Sequence, residues 1–84
     1  MVNIRFFAVM KKLCGRELLE LKIDGPTTLR DILNKVEQEI PKIREIIKDG
    51  RSLISINQEM ANEDSVVRNG DEIALLPPFA GGMR

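Results

Sequence analysis

Apolar and polar residues alternate near the start of the chain, which is the pattern of a half-buried β-strand. We predict a first strand over residues 2–9, rich in β-branched and aromatic side chains. The same alternation places Phe7 on the opposite, wetter face of that strand. The residues assigned to the core face are Ile4, Phe6 and Ala8.

A second strand is predicted over residues 18–23, with Leu18 on its outer side. Residues 10–17 are mostly polar and include Gly15, so they are interpreted as a hairpin-type connection between the two strands. Asp24-Gly25-Pro26 is a turn signal that ends the second strand.

Helical periodicity replaces the alternation after this turn. Thr28 precedes Asp31 by three residues, a spacing that is typical of a helix N-terminus capped by a hydroxyl group. Pro41 disfavours helical geometry at the residue before it and ends or kinks the helix. The apolar stripe, which we assign to the core, consists of Leu29, Ile32, Leu33, Val36 and Ile40. Further helical turns are predicted from Ile43, Ile46 and Ile47.

The last third of the chain alternates again. We predict strands over residues 53–57 and 71–76. Residues 58–69 form a turn-rich segment, for which Met60 and Val66 are the expected apolar anchors.

The predicted elements follow the order strand, strand, helix, strand, turn-rich segment, strand, which is typical of an α+β domain. The helix must cover one face of the sheet to bury its apolar stripe. Placing the first and last strands side by side and parallel in the middle gives a mixed β-grasp sheet with the other face open. Phe7 and Leu76 then lie on that open face, with Leu18 or Leu53 beside them. An exposed apolar patch of this kind marks a protein interface; the alternative is that a loop covers it, or that these are scattered surface residues.

The C-terminal residues contrast with the rest of the chain. Pro77-Pro78 cannot donate to a sheet and stiffens the chain, whereas Gly81-Gly82 carries no side chains. We therefore divide the chain into a domain over residues 1–76 and a flexible tail over residues 77–84. Such a tail suits insertion into a narrow channel of another protein; the alternative is an ordinary frayed terminus.

Composition excludes several classes of function. The 84 residues include 13 basic and 13 acidic side chains, so the net charge of zero gives no support for nucleic-acid or membrane binding. The absence of histidine removes the commonest general base and metal ligand, so we expect no metal site and no catalysis by this chain alone. A single cysteine, Cys14, and the lack of a signal peptide or spanning segment indicate a cytoplasmic protein.

The chain resembles the small subunit of molybdopterin synthase, the MoaD-like sulfur carriers of the ubiquitin-like β-grasp class. The resemblance covers nearly the whole chain and is carried most specifically by residues 69–82, where a strand runs into Pro-Pro, a large apolar residue, a small residue and Gly-Gly. Thiamine sulfur carriers share the Gly-Gly but usually lack the double proline. Further matching residues lie at 2–8, 28–33 and 56–58.

The resemblance implies a carrier rather than an enzyme. In the family, a ubiquitin-activating-like adenylyltransferase uses ATP to adenylate the terminal glycine carboxylate, which a sulfur donor converts to a thiocarboxylate. The large synthase subunit then receives the tail and passes the sulfur to the pterin precursor in molybdenum cofactor biosynthesis. By resemblance, Gly82 carries the sulfur and Gly81 allows passage, with no cofactor bound to this chain. The partner interface implied in the same way comprises Phe7, Leu76, Pro77, Pro78, Phe79 and Ala80.

Met83 and Arg84 depart from the family pattern, because they leave Gly82 as an amide rather than a free carboxylate. Three explanations are open: a peptidase removes the two residues, they are a sequence artefact, or the chain no longer carries sulfur. The alternative functions are a ubiquitin-like protein modifier, a carrier for another sulfur-transfer pathway, and an interaction module without the chemistry. Cys14 is a further candidate as a reactive thiol, although a lone loop cysteine is more often inert.

Overall fold

An antiparallel pair of strands and an antiparallel group of three strands meet through a parallel contact at the centre of the main sheet. The computed structural model describes residues 1–48 and 53–76. Among these residues a five-stranded mixed sheet has the order β2-β1-β7-β4-β5, and β3 pairs with β6 in a separate two-stranded sheet. The elements are β1 (Val2–Phe6), α1 (Val9–Cys14), β2 (Leu18–Leu21), β3 (Thr27–Thr28), α2 (Leu29–Glu39), α3 (Ile43–Lys48), β4 (Leu53–Ile56), β5 (Glu59–Met60), β6 (Val66–Val67) and β7 (Glu72–Leu76).

The central pair confirms the predicted placement of the first and last strands. β1 and β7 are parallel neighbours, with Ile4 opposite Ile73 and Phe6 opposite Leu75. All four side chains are almost completely buried, so they form the middle of the core. The alternate residues of both strands therefore point away from the core, which is why the sheet has one covered face and one open face.

The main helix, α2, covers the sheet as its periodicity predicts. The Thr28 hydroxyl accepts a hydrogen bond from the Asp31 N–H at 3.2 Å, which satisfies one free donor at the helix start. The helix ends at Glu39, two residues before Pro41. Every residue of the predicted apolar stripe is buried: Leu29, Ile32, Leu33, Val36 and Ile40.

The predicted hairpin connection between the first two strands is confirmed, since β1 and β2 are antiparallel neighbours, but the connection is not an irregular polar segment: residues 9–14 form the short helix α1. Met10 is fully buried in the core, and Gly15 ends the helix with a φ of 75°, a left-handed conformation that glycine adopts readily. The predicted inward position of Ala8 is wrong. The chain leaves the strand after Phe6, and Ala8 is exposed with a φ of 50°.

The predicted turn-rich segment over residues 58–69 contains the short strands β5 and β6. Met60 and Val66 are 64% and 48% exposed, so their prediction as apolar anchors is wrong. Val67 is the fully buried residue of the segment. A two-residue strand is too short for alternation to show which of its residues faces the core.

No helix within residues 1–48 and 53–76 combines the length and the apolar character needed to cross a lipid bilayer.

Candidate functional site: the open face and the tail end

The two parallel central strands end at the same side of the sheet, β1 at Phe6 and β7 at Leu76. We call this end of the sheet, together with the adjacent residues Phe7 and Leu53, the tail end. The Phe7 N–H donates to the Leu75 carbonyl oxygen at 3.2 Å, so the two chain segments are still hydrogen-bonded where they leave the sheet. The chain continues from Leu76 into residues 77–84. The tail therefore starts next to Phe7.

The open face of the sheet is the face opposite α2. One row of residues crosses it through all five strands, because each member is the register partner of the next: Leu18, Arg5, Ala74, Ser55 and Met60. The two end members, Leu18 and Met60, are large, apolar and exposed, whereas Arg5 is charged and Ala74 and Ser55 are small.

The apolar part of the open face is concentrated at the tail end. Phe7 and Leu53 are 43% and 41% exposed, and Leu76, the register partner of Leu53, is half-buried. Leu18 is exposed on the neighbouring edge strand. The outward positions of Phe7 and Leu76 agree with the alternation of the sequence, while their role in binding a partner stays a prediction.

A single ion pair crosses the polar part of the open face among the described residues. Arg5 Nε lies 2.5 Å from Glu72 Oε2, between diagonally placed positions of the two central strands. The hydrogen bond and the charge of Glu72 raise the pKa of Arg5. Strand register places Arg5 next to Ala74, so the open face carries a charged pair beside its apolar residues.

Most of the predicted site lies outside the described residues. This applies to the sulfur-carrying Gly82 and its neighbour Gly81, and to the predicted interface residues Pro77, Pro78, Phe79 and Ala80. Their assignments stay predictions, to which the described structure adds the position from which the tail departs.

The opposite end of the sheet, which we call the turn end, is organised around Asn57 and Asp71. Asn57 and Gln58 join β4 to β5 with φ angles of 52° and 73°, the geometry of a two-residue hairpin turn. The Asn57 side chain donates to Asp71 Oδ1 at 3.0 Å and accepts from the Glu72 N–H at 2.9 Å. The strand predicted over residues 53–57 included Asn57, which instead begins the turn after Ile56.

Electrostatics at Cys14 argue against a reactive thiol. The side chain is half-buried on α1, and burial raises the pKa of the thiol, an effect that Lys42 and Arg16 only partly oppose. Thiolate is the reactive form, so Cys14 is held in its less reactive state. The described residues also contain no cluster of acidic and cysteine side chains that could hold a metal ion.

Topology and site together define the class of the protein. A mixed sheet with parallel first and last strands at its centre, one main helix on one face and an apolar open face is the ubiquitin-like β-grasp arrangement. Solved structures agree: small archaeal modifier protein 1 of H. volcanii matches with a TM-score of 0.79 at 25% identity, covering 93% of this chain and 97% of that one. A complex of subunits 1 and 2 of the molybdopterin-converting factor from Helicobacter pylori contains a chain that matches with a TM-score of 0.66 at 29% identity, covering 96% and 97%.

The sequence itself matches the ThiS family over residues 4–82, and the chain belongs to that family. A molybdopterin synthase sulfur carrier subunit from Haemophilus influenzae is 35% identical over 82 residues, which cover 98% of this chain and 100% of the relative. The resemblance to the MoaD-like sulfur carriers is thereby confirmed. The family match ends at Gly82, so Met83 and Arg84 lie outside the matched span.

Proposed function

We propose that this chain is the sulfur-carrier small subunit of molybdopterin synthase. The observation that carries the proposal is the family match, which runs from the first strand to Gly82 and so includes both the domain and the Gly-Gly end. The H. influenzae carrier subunit matches over its whole length, which supports the same role. The structure adds an apolar surface at the end of the sheet from which the tail departs.

The chemistry of the proposed cycle takes place on the main-chain carboxylate of Gly82. A carboxylate is a poor electrophile, and adenylation by an ATP-using adenylyltransferase gives it a good leaving group. Hydrosulfide released by a sulfur donor displaces AMP, so that a carbon–sulfur bond forms as the carbon–oxygen bond to AMP breaks and the hydrosulfide proton is lost to solvent. The resulting thiocarboxylate is a sulfur nucleophile on a tether, and Gly81 and Gly82 carry no side chain that would obstruct its entry into the partner.

Catalysis belongs to the partners in this proposal. The large synthase subunit receives the tail and transfers the sulfur to the pterin precursor, while Phe7 and Leu76 bind against it. The solved H. pylori complex of subunits 1 and 2 supports a two-subunit assembly for this kind of chain. We propose the cytoplasm as the location, where the single cysteine stays reduced.

Carrier activity requires a free carboxylate at Gly82. We therefore propose that a peptidase removes Met83 and Arg84 before adenylation, a step that the end of the family match at Gly82 supports. The remaining explanations for these residues, a sequence artefact or loss of carrier function, are separated by the mass measurement described next.

The first experiment is the intact mass of the protein from its native host, with the C-terminus sequenced. A chain that ends at Gly82, with one oxygen replaced by sulfur, is the expected result. In a reconstituted assay, the chain ending at Gly82 should support molybdopterin formation, and Gly82→Ala should slow or block it without unfolding the domain. A chain that keeps Met83 and Arg84 in cells that make the cofactor would overturn the carrier proposal.

A protein modifier is the second candidate, favoured by the match to small archaeal modifier protein 1. The same activated Gly82 would then form an isopeptide bond with lysine side chains of target proteins. Isopeptide-linked adducts in the native host, in the absence of any requirement for cofactor synthesis, would select this function.

A further inference from the structure

A groove of about 440 Å³ opens beside α1 at the tail end of the sheet. Its surface is mainly apolar, and none of the residues that line it within 1–48 and 53–76 is acidic. Gly15 contributes only backbone, and, its chain neighbours apart, no heavy atom of the described residues lies within 4 Å of the position that a Cβ there would occupy. The lining residues are Ala8, Lys11, Lys12, Gly15 and Arg16.

The cations of the groove are only weakly neutralised within the described chain. Lys11 Nζ lies 3.5 Å from Glu17 Oε1, and Arg16 Nη1 lies 3.8 Å from Glu39 Oε1. Both pairs are exposed to solvent, where such contacts contribute little. Lys12 is also exposed. The groove therefore presents a positive edge over an apolar floor, although the net charge of the whole chain is zero.

The groove adjoins the apolar part of the open face. Ala8 lines the groove and directly follows Phe7, whose N–H donates to the carbonyl oxygen of Leu75 in β7. α1 leads from the end of β1 to the start of β2, and both lie at the tail end. A protein that covers Phe7 and Leu76 therefore binds next to the start of α1.

We propose that this groove docks an acidic segment of the large subunit, located at the entrance of the channel that receives the tail. A carboxylate side chain of that segment binds Lys11 and Lys12, and an adjacent apolar side chain fills the floor beside Ala8. The positive charges of the groove favour an acidic partner, and the position of the groove beside Phe7 favours the large subunit as that partner. The inference rests on the proposed function, because it identifies the chemistry of the surface that the carrier's partner presents.

Charge reversal tests the inference. Lys12→Glu should weaken binding of the large subunit from the same organism about tenfold at about 50 mM salt, mainly through slower association. The difference should shrink at about 500 mM salt, because screening weakens exposed charge pairs. The matched control is Lys35→Glu, at another exposed lysine, on the solvent side of α2; this variant should bind like the wild-type chain within about twofold. Equal affinities for Lys12→Glu and the wild-type chain would overturn the inference.

Zero-length crosslinking gives a second, independent measurement. A carbodiimide joins a lysine amine to a carboxylate only where the two are in contact. In the complex with the large subunit, crosslinked peptides should join Lys11 or Lys12 to an aspartate or glutamate of the large subunit. Crosslinks that involve only Lys35 or other distant lysines would contradict the proposed site.

The outcomes separate this inference from the proposed function. A large subunit that binds the wild-type chain and both variants equally overturns the groove and leaves the carrier function intact. A large subunit that does not bind the wild-type chain at all overturns both.

Discussion

At the turn end of the sheet the polar groups are paired within the chain, whereas at the tail end apolar side chains are left partly exposed. Asn57 and Asp71 hold the turn end together, and the Arg68 N–H donates to Asp71 Oδ2 at 2.8 Å. At the tail end, Phe7 and Leu53 keep about two-fifths of their surface in contact with solvent.

This difference suggests that the turn end contributes mainly to the stability of the domain and the tail end mainly to binding a partner. β4 and β7 contribute to both ends, and their buried residues are continuous between them. A substitution at the turn end should therefore change the free energy of unfolding, while one at the tail end should change the affinity for a partner. The following predictions test that separation.

The largest expected effect is at the tail end. The double substitution Phe7→Ala and Leu76→Ala should weaken binding of the large subunit by about a hundredfold or more, because exposed apolar side chains at the centre of an interface dominate affinity. The thermal midpoint of unfolding should change little, because neither side chain belongs to the fully buried core. Calorimetric titration and thermal unfolding measure the two quantities. The control is Val66→Ala, which shortens an exposed apolar side chain on β6, away from the five-stranded sheet. A similar loss of affinity in the control would remove the distinction.

A smaller effect, on stability alone, is expected at the turn end. Asn57→Ala should lower the free energy of unfolding by about 2 kcal/mol, since two side-chain hydrogen bonds are lost and alanine disfavours a positive φ. Asn57→Gly loses the same hydrogen bonds but tolerates the positive φ, so it should cost about half as much. Urea unfolding measures both, and affinity for the large subunit should remain at the wild-type value. If the alanine variant binds more weakly than the glycine variant while folded, the two ends are coupled.

The smallest expected effect is a pH dependence at Asp71. Hydrogen bonds from the Arg68 backbone N–H and the Asn57 amide lower the pKa of Asp71 below its ordinary value of 3.8. Since the folded pKa is below the unfolded one, ionised Asp71 stabilises the fold above about pH 4, and this contribution is lost as the pH falls through the folded pKa. The side chain is partly exposed, so we expect less than about 1 kcal/mol.

Urea unfolding at about pH 6 and about pH 2.5 measures this contribution. Wild-type stability should fall more between the two pH values than that of Asp71→Asn, which has no carboxylate at this position. Identical losses in both proteins would show that Asp71 does not contribute.

The sequence predicted the covered face of the sheet well, because burial there follows the period of each element. Leu29 to Ile40 repeat at helical spacing, and the alternation of Ile73 and Leu75 fixes the inner side of the last strand. The short helix α1 was missed because six residues span less than two turns, and its exposed lysines hide its pattern. Met10, Leu13 and Cys14, at spacings of three and four, were the available signal.

The candidate site was predictable only where it depends on a single strand. Alternation alone placed Phe7 and Leu76 outward, whereas the basic groove depends on α1 and on how it packs beside β1. The turn-end contacts of Asn57 join residues 14 and 15 positions apart, and no local pattern encodes such a pairing. Long-range side-chain contacts of this kind follow from tertiary structure rather than from sequence periodicity.

The central position of β7 also has a mechanical consequence. β7 is paired with β1 on one side and β4 on the other, and its final residue, Leu76, is still opposite Leu53. A pulling force applied to the tail therefore acts along β7 and loads both rows of hydrogen bonds in shear at once. The bonds on either side share such a load, so the strand resists being peeled away from its end. In the proposed carrier cycle, in which the tail enters and leaves partner proteins, the tail is thereby anchored to a strand that is hydrogen-bonded on both sides.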